Sequence, residues 1–276
     1  MTGTVLAILA ALAFGVGDFA AGIASRRIHF LFVTLVIEAI GVILVGAALL
    51  LTGPPPPEFS SLAWGAVSGI GSAIGTLALY RGLSRGQMSV AAPLSAVGAA
   101  AIPVVVGFLL GDRLSAVAIA GVVLAFPGIW LVAKSSAKTT RTGTADGLVA
   151  GVGFALLFVA LHQAGDTLWP VAVGQLTALV TVAIATALYR PPRPGRRDAI
   201  RDRWWILAAG VLSISATIAY FYASHVGLLT IAAVLASIYP AFTIVLAVLI
   251  LHERPTRAQL AGLIACGVAV TAITVA

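Results

Sequence analysis

Residues 227–276 read GLLTIAAVLASIYPAFTIVLAVLILHERPTRAQLAGLIACGVAVTAITVA, and this stretch decides the fold. It consists of two apolar runs that are separated by a polar corner at His252-Glu253-Arg254-Pro255. A run of about 20 apolar residues, rising about 1.5 Å per residue as a helix, crosses a hydrocarbon core roughly 30 Å thick. We therefore predict that the chain closes with a hairpin of two transmembrane helices.

The same hairpin occurs earlier in the chain, at an offset of 141 residues. Its corner is Asp112-Arg113, where the closing hairpin has Glu253-Arg254. The other informative matches at this offset are Gly86 with Gly227, Ser115 with Thr256, Gly121 with Gly262, Trp64 with Trp205, Ser72 with Ser213 and Thr76 with Thr217. Phe14 matches Phe154 at an offset of 140. The chain is therefore an internal duplication.

The composition indicates a membrane protein. Hydrophobic residues make up 61% of the 276 residues and charged residues only 9%, whereas soluble domains carry about 25%. The apolar runs are continuous rather than alternating, which favours helices over a barrel. Ten spans are predicted, at 3–24, 31–52, 62–83, 87–110, 114–133, 147–164, 168–189, 204–225, 228–251 and 256–276.

The duplication relates spans one to five to spans six to ten. Because five is odd, the second copy enters the membrane in the opposite sense. We therefore predict an all-α polytopic membrane protein whose ten transmembrane helices form two inverted five-helix repeats. The first repeat covers 1–133, a cytoplasmic linker covers 134–146, and the second repeat covers 147–276. Many secondary transporters have this architecture.

Basic residues predict the orientation. Of the 16 Lys and Arg residues, 15 lie in the odd-numbered connections, and only Arg113 lies in the others. The positive-inside rule places the odd-numbered connections in the cytoplasm and both termini outside. The formal charge of +7 is explained in this way, so nucleic-acid binding is not expected. No basic segment precedes the first run, which is therefore interpreted as a helix rather than a cleaved signal peptide, in a multi-pass protein of the inner (plasma) membrane.

Several motifs resemble a known group of transporters. They are Tyr239-Pro240, Leu251-His252-Glu253-Arg254, Gly262 and Gly267 in the second half, Pro103, Leu110-Gly111-Asp112-Arg113 and Gly121 in the first, and Gly15-Val16-Gly17-Asp18-Phe19 at the start. With them the chain resembles the drug/metabolite transporter superfamily, specifically its ten-helix EamA-like branch. The resemblance implies export or exchange of small metabolites, amino acids or drugs through a cavity between the halves.

Two acidic residues, Asp18 and Glu38, lie well inside predicted spans. Each is ten residues from the centre of their connection near Ile28, so both are expected at the same depth. An acid inside the bilayer is costly and usually faces a cavity or a partner, so both are candidates for binding substrate or protons. In the structural alternative, one or both is a protonated acid bonded to nearby backbone, or Asp18 satisfies a helix break after Gly15 and Gly17.

Polar residues form matching stripes on the third and eighth spans. Ser213, Thr217 and Tyr220 fall at i, i+4 and i+7 on one helix face, and Ser72 and Thr76 are the duplicated counterparts. A twofold axis in the membrane plane turns both stripes toward one central space. The alternative is that these residues only pack helices against each other.

The ninth span has a proline near its middle. Pro240 removes a helical hydrogen bond, and such breaks often form transport sites. Ser237 and Tyr239 are therefore cavity candidates, with simple packing as the alternative, and Gln175 in the seventh span is a further candidate.

Other chemistry finds no support in the sequence. Cys266 is the only cysteine and the four histidines lack ligand spacing, so neither a disulfide nor a metal site is predicted. There is no P-loop or hydrolase motif, so we predict no enzyme activity and no cofactor. The absence of Lys and Arg deep in any span disfavours anionic substrates. Asp112 and Glu253 are expected to be structural, with Ser115 and Thr256 capping the following helices.

Together these features predict a secondary active transporter. It is expected to move a small neutral or cationic metabolite, amino acid or drug by alternating access coupled to protons. Export is the favoured direction. Its partners are then the substrate, protons and the lipid bilayer, and it works as a monomer or homodimer. The alternatives are a non-transporting membrane scaffold or sensor, and an uncoupled facilitator with the same fold.

Overall fold

The structure is a computed structural model that describes residues 2–55, 57–84, 88–133, 141–192, 194–251 and 256–275. All regular secondary structure in these residues is helical. The helices are α1 Thr2–Ser25, α2 Phe30–Thr52, α3 Phe59–Ser84, α4 Met88–Leu110, α5 Ala116–Ala133, α6 Arg141–His162, α7 Trp169–Tyr189, α8 Arg196–Val226, α9 Leu229–Ala236, α10 Tyr239–Leu251 and α11 Arg257–Val275.

These helices confirm the ten predicted spans, because α9 and α10 together occupy the ninth. Within the described residues, seven spans are long and apolar enough to cross a membrane. The fourth, fifth and tenth spans contain shorter apolar helices. The all-helical fold class predicted from the sequence is therefore confirmed.

Local sequence explains where helices end. α2 stops at Gly53, whose positive φ of 53° is left-handed and whose N–H donates to the Leu49 carbonyl. Before α5, the Ser115 hydroxyl accepts from the Ala118 N–H at 3.1 Å, which is the predicted cap. Before α11, the Thr256 hydroxyl accepts from the Gln259 N–H at 3.2 Å. The adjacent corner with Glu253 lies outside the described residues.

Two helices begin earlier than predicted. α6 starts at Arg141, within the predicted linker, and α8 starts at Arg196, within the basic segment that precedes the eighth span. Hydropathy detects only the apolar part of a helix. In α8, arginines continue the helix beyond it, because straight-chain side chains are good helix formers. The extra turns carry Asp146 and Asp202, both of which are buried.

The most extensive helix interfaces join the two repeats. α1 packs along α8, and its repeat-related interface is that of α6 along α3. α2 also packs against α7, and α5 against α11, between equivalent helices of the two repeats. Small residues allow these close approaches: a Cβ on Gly71 would lie 2.7 Å from the Gly153 carbonyl oxygen. The repeats are thus interleaved, and the space where they meet is the centre of the bundle.

Candidate functional site

A small cavity lies at the centre of the bundle, between the two repeats. The space open to the centre of a water molecule is about 30 Å³, which is room for two or three water molecules. The described lining combines hydroxyl, aromatic and small side chains with one acid: Phe14, Asp18, Ser72, Thr76, Tyr80, Ala99, Phe154, Leu157, Phe158, Ser213, Thr217 and Tyr239. The structure therefore has a small central cavity whose lining combines polar groups with apolar side chains.

Repeat-related residues build two sides of this cavity. Ser72 and Thr76 of α3 face it together with their counterparts Ser213 and Thr217 of α8. Phe14 and its counterpart Phe154 line it as well. The Thr76 hydroxyl donates to the Ser72 carbonyl at 2.7 Å, and Thr217 donates to Ser213 at 3.0 Å. Each threonine hydroxyl is satisfied as a donor, and its lone pairs can still accept a hydrogen bond from a ligand.

Asp18 breaks the symmetry of the cavity. At the offset of 140 residues that relates Phe14 to Phe154, the counterpart of Asp18 is Phe158, which also lines the cavity. Asp18 is the only Asp, Glu, Lys, Arg or His in the described lining. The Tyr80 hydroxyl of α3 donates to its carboxylate at 3.1 Å. The cavity therefore presents one carboxyl group, positioned by a tyrosine, to whatever enters it.

Tyr80 was not singled out from the sequence, although a signal for it existed. Ser72, Thr76 and Tyr80 fall at i, i+4 and i+8, so Tyr80 extends the polar stripe of α3. Tyr220, which was predicted to extend the stripe of α8, is not among the cavity-lining residues. It is fully buried, its hydroxyl donates to the Phe158 carbonyl at 3.2 Å, and its ring stacks on Phe158 with centroids 4.1 Å apart. Tyr220 therefore supports the cavity wall from behind.

Glu38 lies apart from the cavity, between α2 and α7. It is 4% exposed, and the Gln175 amide donates to its carboxylate and, at 3.3 Å, to its backbone carbonyl. One turn along α2, Gly41 leaves room for this amide, since a Cβ there would overlap Gln175. The predicted candidates Glu38 and Gln175 are thus partners of each other.

Gln175 also reaches toward the cavity. It lines a smaller space together with Ser68, Ser72 and Thr217. Ser72 and Thr217 border the central cavity as well, so the two spaces adjoin. Gln175 thus stands between Glu38 and the polar interior of the bundle.

The ninth span is interrupted next to the cavity. α9 ends at Ala236 and α10 begins at Tyr239, with Ser237 and Ile238 between them. Pro240 has no N–H, so the Ala236 carbonyl cannot receive its helical hydrogen bond, which contributes to the break. Tyr239 reaches the cavity, and its hydroxyl lies 2.9 Å from the Ser95 hydroxyl.

Ser237 is fully buried at this break and is not among the residues that line the cavity. α1 fits closely against the same region. A Cβ on Gly15 would lie 2.5 Å from the Tyr239 carbonyl oxygen, and Thr243 donates to the Gly15 carbonyl at 3.0 Å. The broken span and the helix that carries Asp18 therefore form one tightly packed unit.

No cluster of three or more His, Cys, Asp or Glu side chains suited to a metal ion occurs in the part of the chain that the structure describes. In this structure the cavity has room for water only, and its carboxyl and hydroxyl groups can hold a proton and form hydrogen bonds.

Comparison with known proteins identifies the family. The sequence profile of the EamA-like transporter family matches residues 1–134 and 143–275. An uncharacterized protein of Methanocaldococcus jannaschii is 31% identical over 136 residues, which cover 98% of that protein and 49% of this chain, the length of one repeat. A protein of known crystal structure shares the fold, with a TM-score of 0.78 at 18% identity over 99% of this chain and 97% of that one. The match across both repeats shows that the chain belongs to the EamA-like transporter family, which consists of membrane transporters of small molecules.

Proposed function

We propose that the protein is a secondary active transporter that exports a small neutral or cationic metabolite, amino acid or drug by alternating access, in exchange for protons. The observation that carries this proposal is the single carboxyl of Asp18 in a cavity to which both inverted repeats contribute. The cavity provides a charge, hydrogen-bonding hydroxyls and aromatic surface in one place. These groups suit a small, partly apolar ligand.

Asp18 is the centre of the proposed site. Its carboxylate can bind a cationic ligand group, and in its protonated form it is neutral, so a proton and a cationic ligand can compete for the same group. The Tyr80 hydroxyl holds the carboxylate in place from α3. Phe14, Phe154 and Phe158 supply ring faces that attract cations and pack against apolar groups.

Glu38 is the second candidate for the proton. It does not line the cavity, and its carboxylate is bound by Gln175, which borders the adjoining polar space. In the proposed mechanism, either Asp18 exchanges its proton for cargo in the cavity, or Glu38 takes up and releases the proton while cargo occupies the central cavity.

Alternating access follows from the duplication. Two inverted copies of one fold can exchange their packing, which opens the site to one side and then to the other. The Lys and Arg bias supports an orientation with the odd-numbered connections in the cytoplasm and both termini outside, in the plasma membrane. The proposed partners are the small-molecule substrate, protons and bilayer lipid, with the protein acting as a monomer or homodimer.

The test begins with ligand-dependent thermal stabilisation of the purified protein over a panel of metabolites and amines, because a ligand that binds the native state stabilises it by mass action. Hits are then assayed for transport into proteoliposomes under an imposed pH gradient. We expect uptake that the gradient drives and that the double variant Asp18→Asn, Glu38→Gln loses. Unchanged gradient-driven uptake in the double variant would refute the proton role of both acids, and uptake indifferent to the gradient would identify a facilitator. Absence of stabilisation and flux across the panel would favour a scaffold or sensor.

A further inference from the structure

Two ion pairs lie at one face of the bundle. Arg27 Nη1 is 2.8 Å from Asp202 Oδ1, and Arg81 Nε is 2.9 Å from Asp146 Oδ1. Both carboxylates are buried, with side-chain exposures of 1% for Asp202 and 2% for Asp146, while both arginines keep about two-fifths of their side chains exposed. Arg27 follows the end of α1, Asp202 lies near the start of α8, and Arg81 and Asp146 lie near the end of α3 and the start of α6; we call this face the basic face.

Each pair joins the two repeats. Arg27 follows α1 and Asp202 lies on α8, while Arg81 lies on α3 and Asp146 on α6. The interfaces α1–α8 and α3–α6 are equivalent under the repeat and are among the most extensive in the bundle. Both of these interfaces therefore carry an ion pair at the same end of the bundle.

The pairs lie between the cavity and the basic face. Arg27 is nine residues beyond Asp18, which corresponds to roughly 13 Å along the chain at the helical rise. Arg81 is the residue after Tyr80, whose hydroxyl binds Asp18. Separation of α1 from α8, or of α3 from α6, at this face would break one of these pairs.

Among the residues that the structure describes, the repeat-related positions at the opposite face form no ion pair. Because the repeats are inverted, the positions related by 140 or 141 residues to the four charged residues fall at the opposite face. They are Val5 and Leu6 for Asp146, Ser61 for Asp202, Thr167 and Leu168 for Arg27, and Tyr222 for Arg81. None of these residues is ionisable near neutral pH. There, α1 and α8 meet through backbone, since a Cβ on Gly3 would lie 3.2 Å from the Ala223 carbonyl oxygen.

We propose that Arg27–Asp202 and Arg81–Asp146 form a two-part lock, which holds the basic face closed and makes opening toward the opposite face the favoured state of the transporter. The inference rests on the proposed alternating access and adds a direction to it. Closing the basic face forms two charge-assisted contacts, and Arg81 contributes two nitrogens to its contact. At the opposite face the related positions hold no ion pair, and the described charge-assisted contact between the repeats there is the hydrogen bond from the Thr230 N–H to Asp112 at 2.9 Å. The two ion pairs therefore stabilise the closed state of the basic face alone.

The labelling rate of a single cysteine measures how strongly the two ion pairs hold the basic face closed, and this measurement does not require a known substrate. Cys266, the only cysteine, is replaced in Cys266→Ala, and Ser72→Cys then places a single thiol in the cavity. A membrane-impermeant thiol reagent is applied to vesicles of each orientation. With both pairs intact, we expect faster labelling from the opposite face than from the basic face. In Asp146→Asn, Asp202→Asn we expect basic-face labelling to rise about tenfold, equivalent to about 1.4 kcal/mol for the two pairs together, while opposite-face labelling falls.

The control is Arg201→Gln, which removes an exposed cation next to Asp202 and belongs to neither pair. Its labelling from both faces should match that of the parent. Exchanging the charges in Arg27→Asp, Asp202→Arg should lower basic-face labelling again relative to Asp202→Asn. A thermal unfolding transition in each purified variant verifies that labelling reports a folded protein.

The outcomes separate the lock from the proposed function. Labelling from the opposite face with no change on removing the carboxylates would overturn the lock and leave alternating access standing. An equal rise from both faces would also overturn it, since this indicates general loosening. The absence of labelling from either face in every folded variant would show that the cavity does not open to either side, and it would overturn both proposals.

Discussion

Asp18 and Glu38 lie at the same distance from the connection between α1 and α2, yet their surroundings differ. Asp18 lines the central cavity and is held by a hydroxyl from α3. Glu38 is enclosed between α2 and α7 and is bound by an amide from Gln175. Both acids carry the same cost of insertion into a bilayer, but only Asp18 is available to a ligand in the cavity.

Depth and charge identify an intramembrane acid, but the helix that packs beside it determines whether its carboxyl group is available to a ligand. α1 runs beside α8 and the broken ninth span, where the repeats leave a space. α2 runs beside its own counterpart α7, where Gly41 lets Gln175 fill the contact. Variants of each acid and of its partner can therefore test the comparison.

The largest expected effect belongs to Asp18 itself. Asp18→Asn should lower the rate of transport about 30- to 100-fold, because a hydrogen bond to a charged group contributes about 2 to 3 kcal/mol. Ligand binding measured by thermal stabilisation should fall in parallel. The matched control is Glu38→Gln, which should retain ligand binding, since Glu38 does not line the cavity. Equal loss of binding in both variants would contradict the different surroundings described for Asp18 and Glu38.

A second prediction concerns the seal around Glu38. Gly41→Ala places a methyl group where the Gln175 amide lies, so it should displace this amide and lower the free energy of unfolding by about 1–3 kcal/mol. The measurement is thermal or denaturant unfolding of the purified protein in detergent. Gly46→Ala on the same helix is the control, because a Cβ there meets no atom within 4 Å. It should be neutral or slightly stabilising, and equal effects at the two glycines would contradict the packing described for Gln175.

The smallest expected effect is that of Tyr80→Phe. It removes the hydroxyl that binds Asp18 and keeps the ring that lines the cavity. We expect a loss of about 1.5 kcal/mol, or roughly tenfold in transport or ligand affinity, at the low end for a hydrogen bond to a charged group. Tyr222→Phe, on the more exposed side of α8, should leave both unchanged. A Tyr80 variant with unchanged transport would show that Asp18 needs no positioning by α3.

The fold could be predicted because its signals in the sequence are local or occur in both repeats. Apolar runs define the spans, and the duplication matches Ser72 with Ser213 and Thr76 with Thr217. Since an inverted repeat turns matching faces toward one axis, the meeting of these residues in one cavity could be inferred from the sequence alone. The break near Pro240 was similarly predictable, because proline removes a helical donor.

The remaining features depend on how helices rotate against distant partners. Tyr80 and Tyr220 each continue a polar stripe, but only the packing of α3 and α8 decides that Tyr80 reaches the cavity. Gln175 and Glu38 are 137 residues apart and meet only because α2 crosses α7. Similarly, the buried Asp146 and Asp202 lie in turns that hydropathy assigns to connections.

The interleaving of the repeats has a consequence for biogenesis. The main neighbours of α1 and α3 are α8 and α6, which are synthesised later. The glycine-lined faces of the first five helices therefore stay unpaired in the bilayer until the second repeat has been inserted. Packing of the helices then follows their insertion as a separate stage. The two repeats are thus partners in assembly.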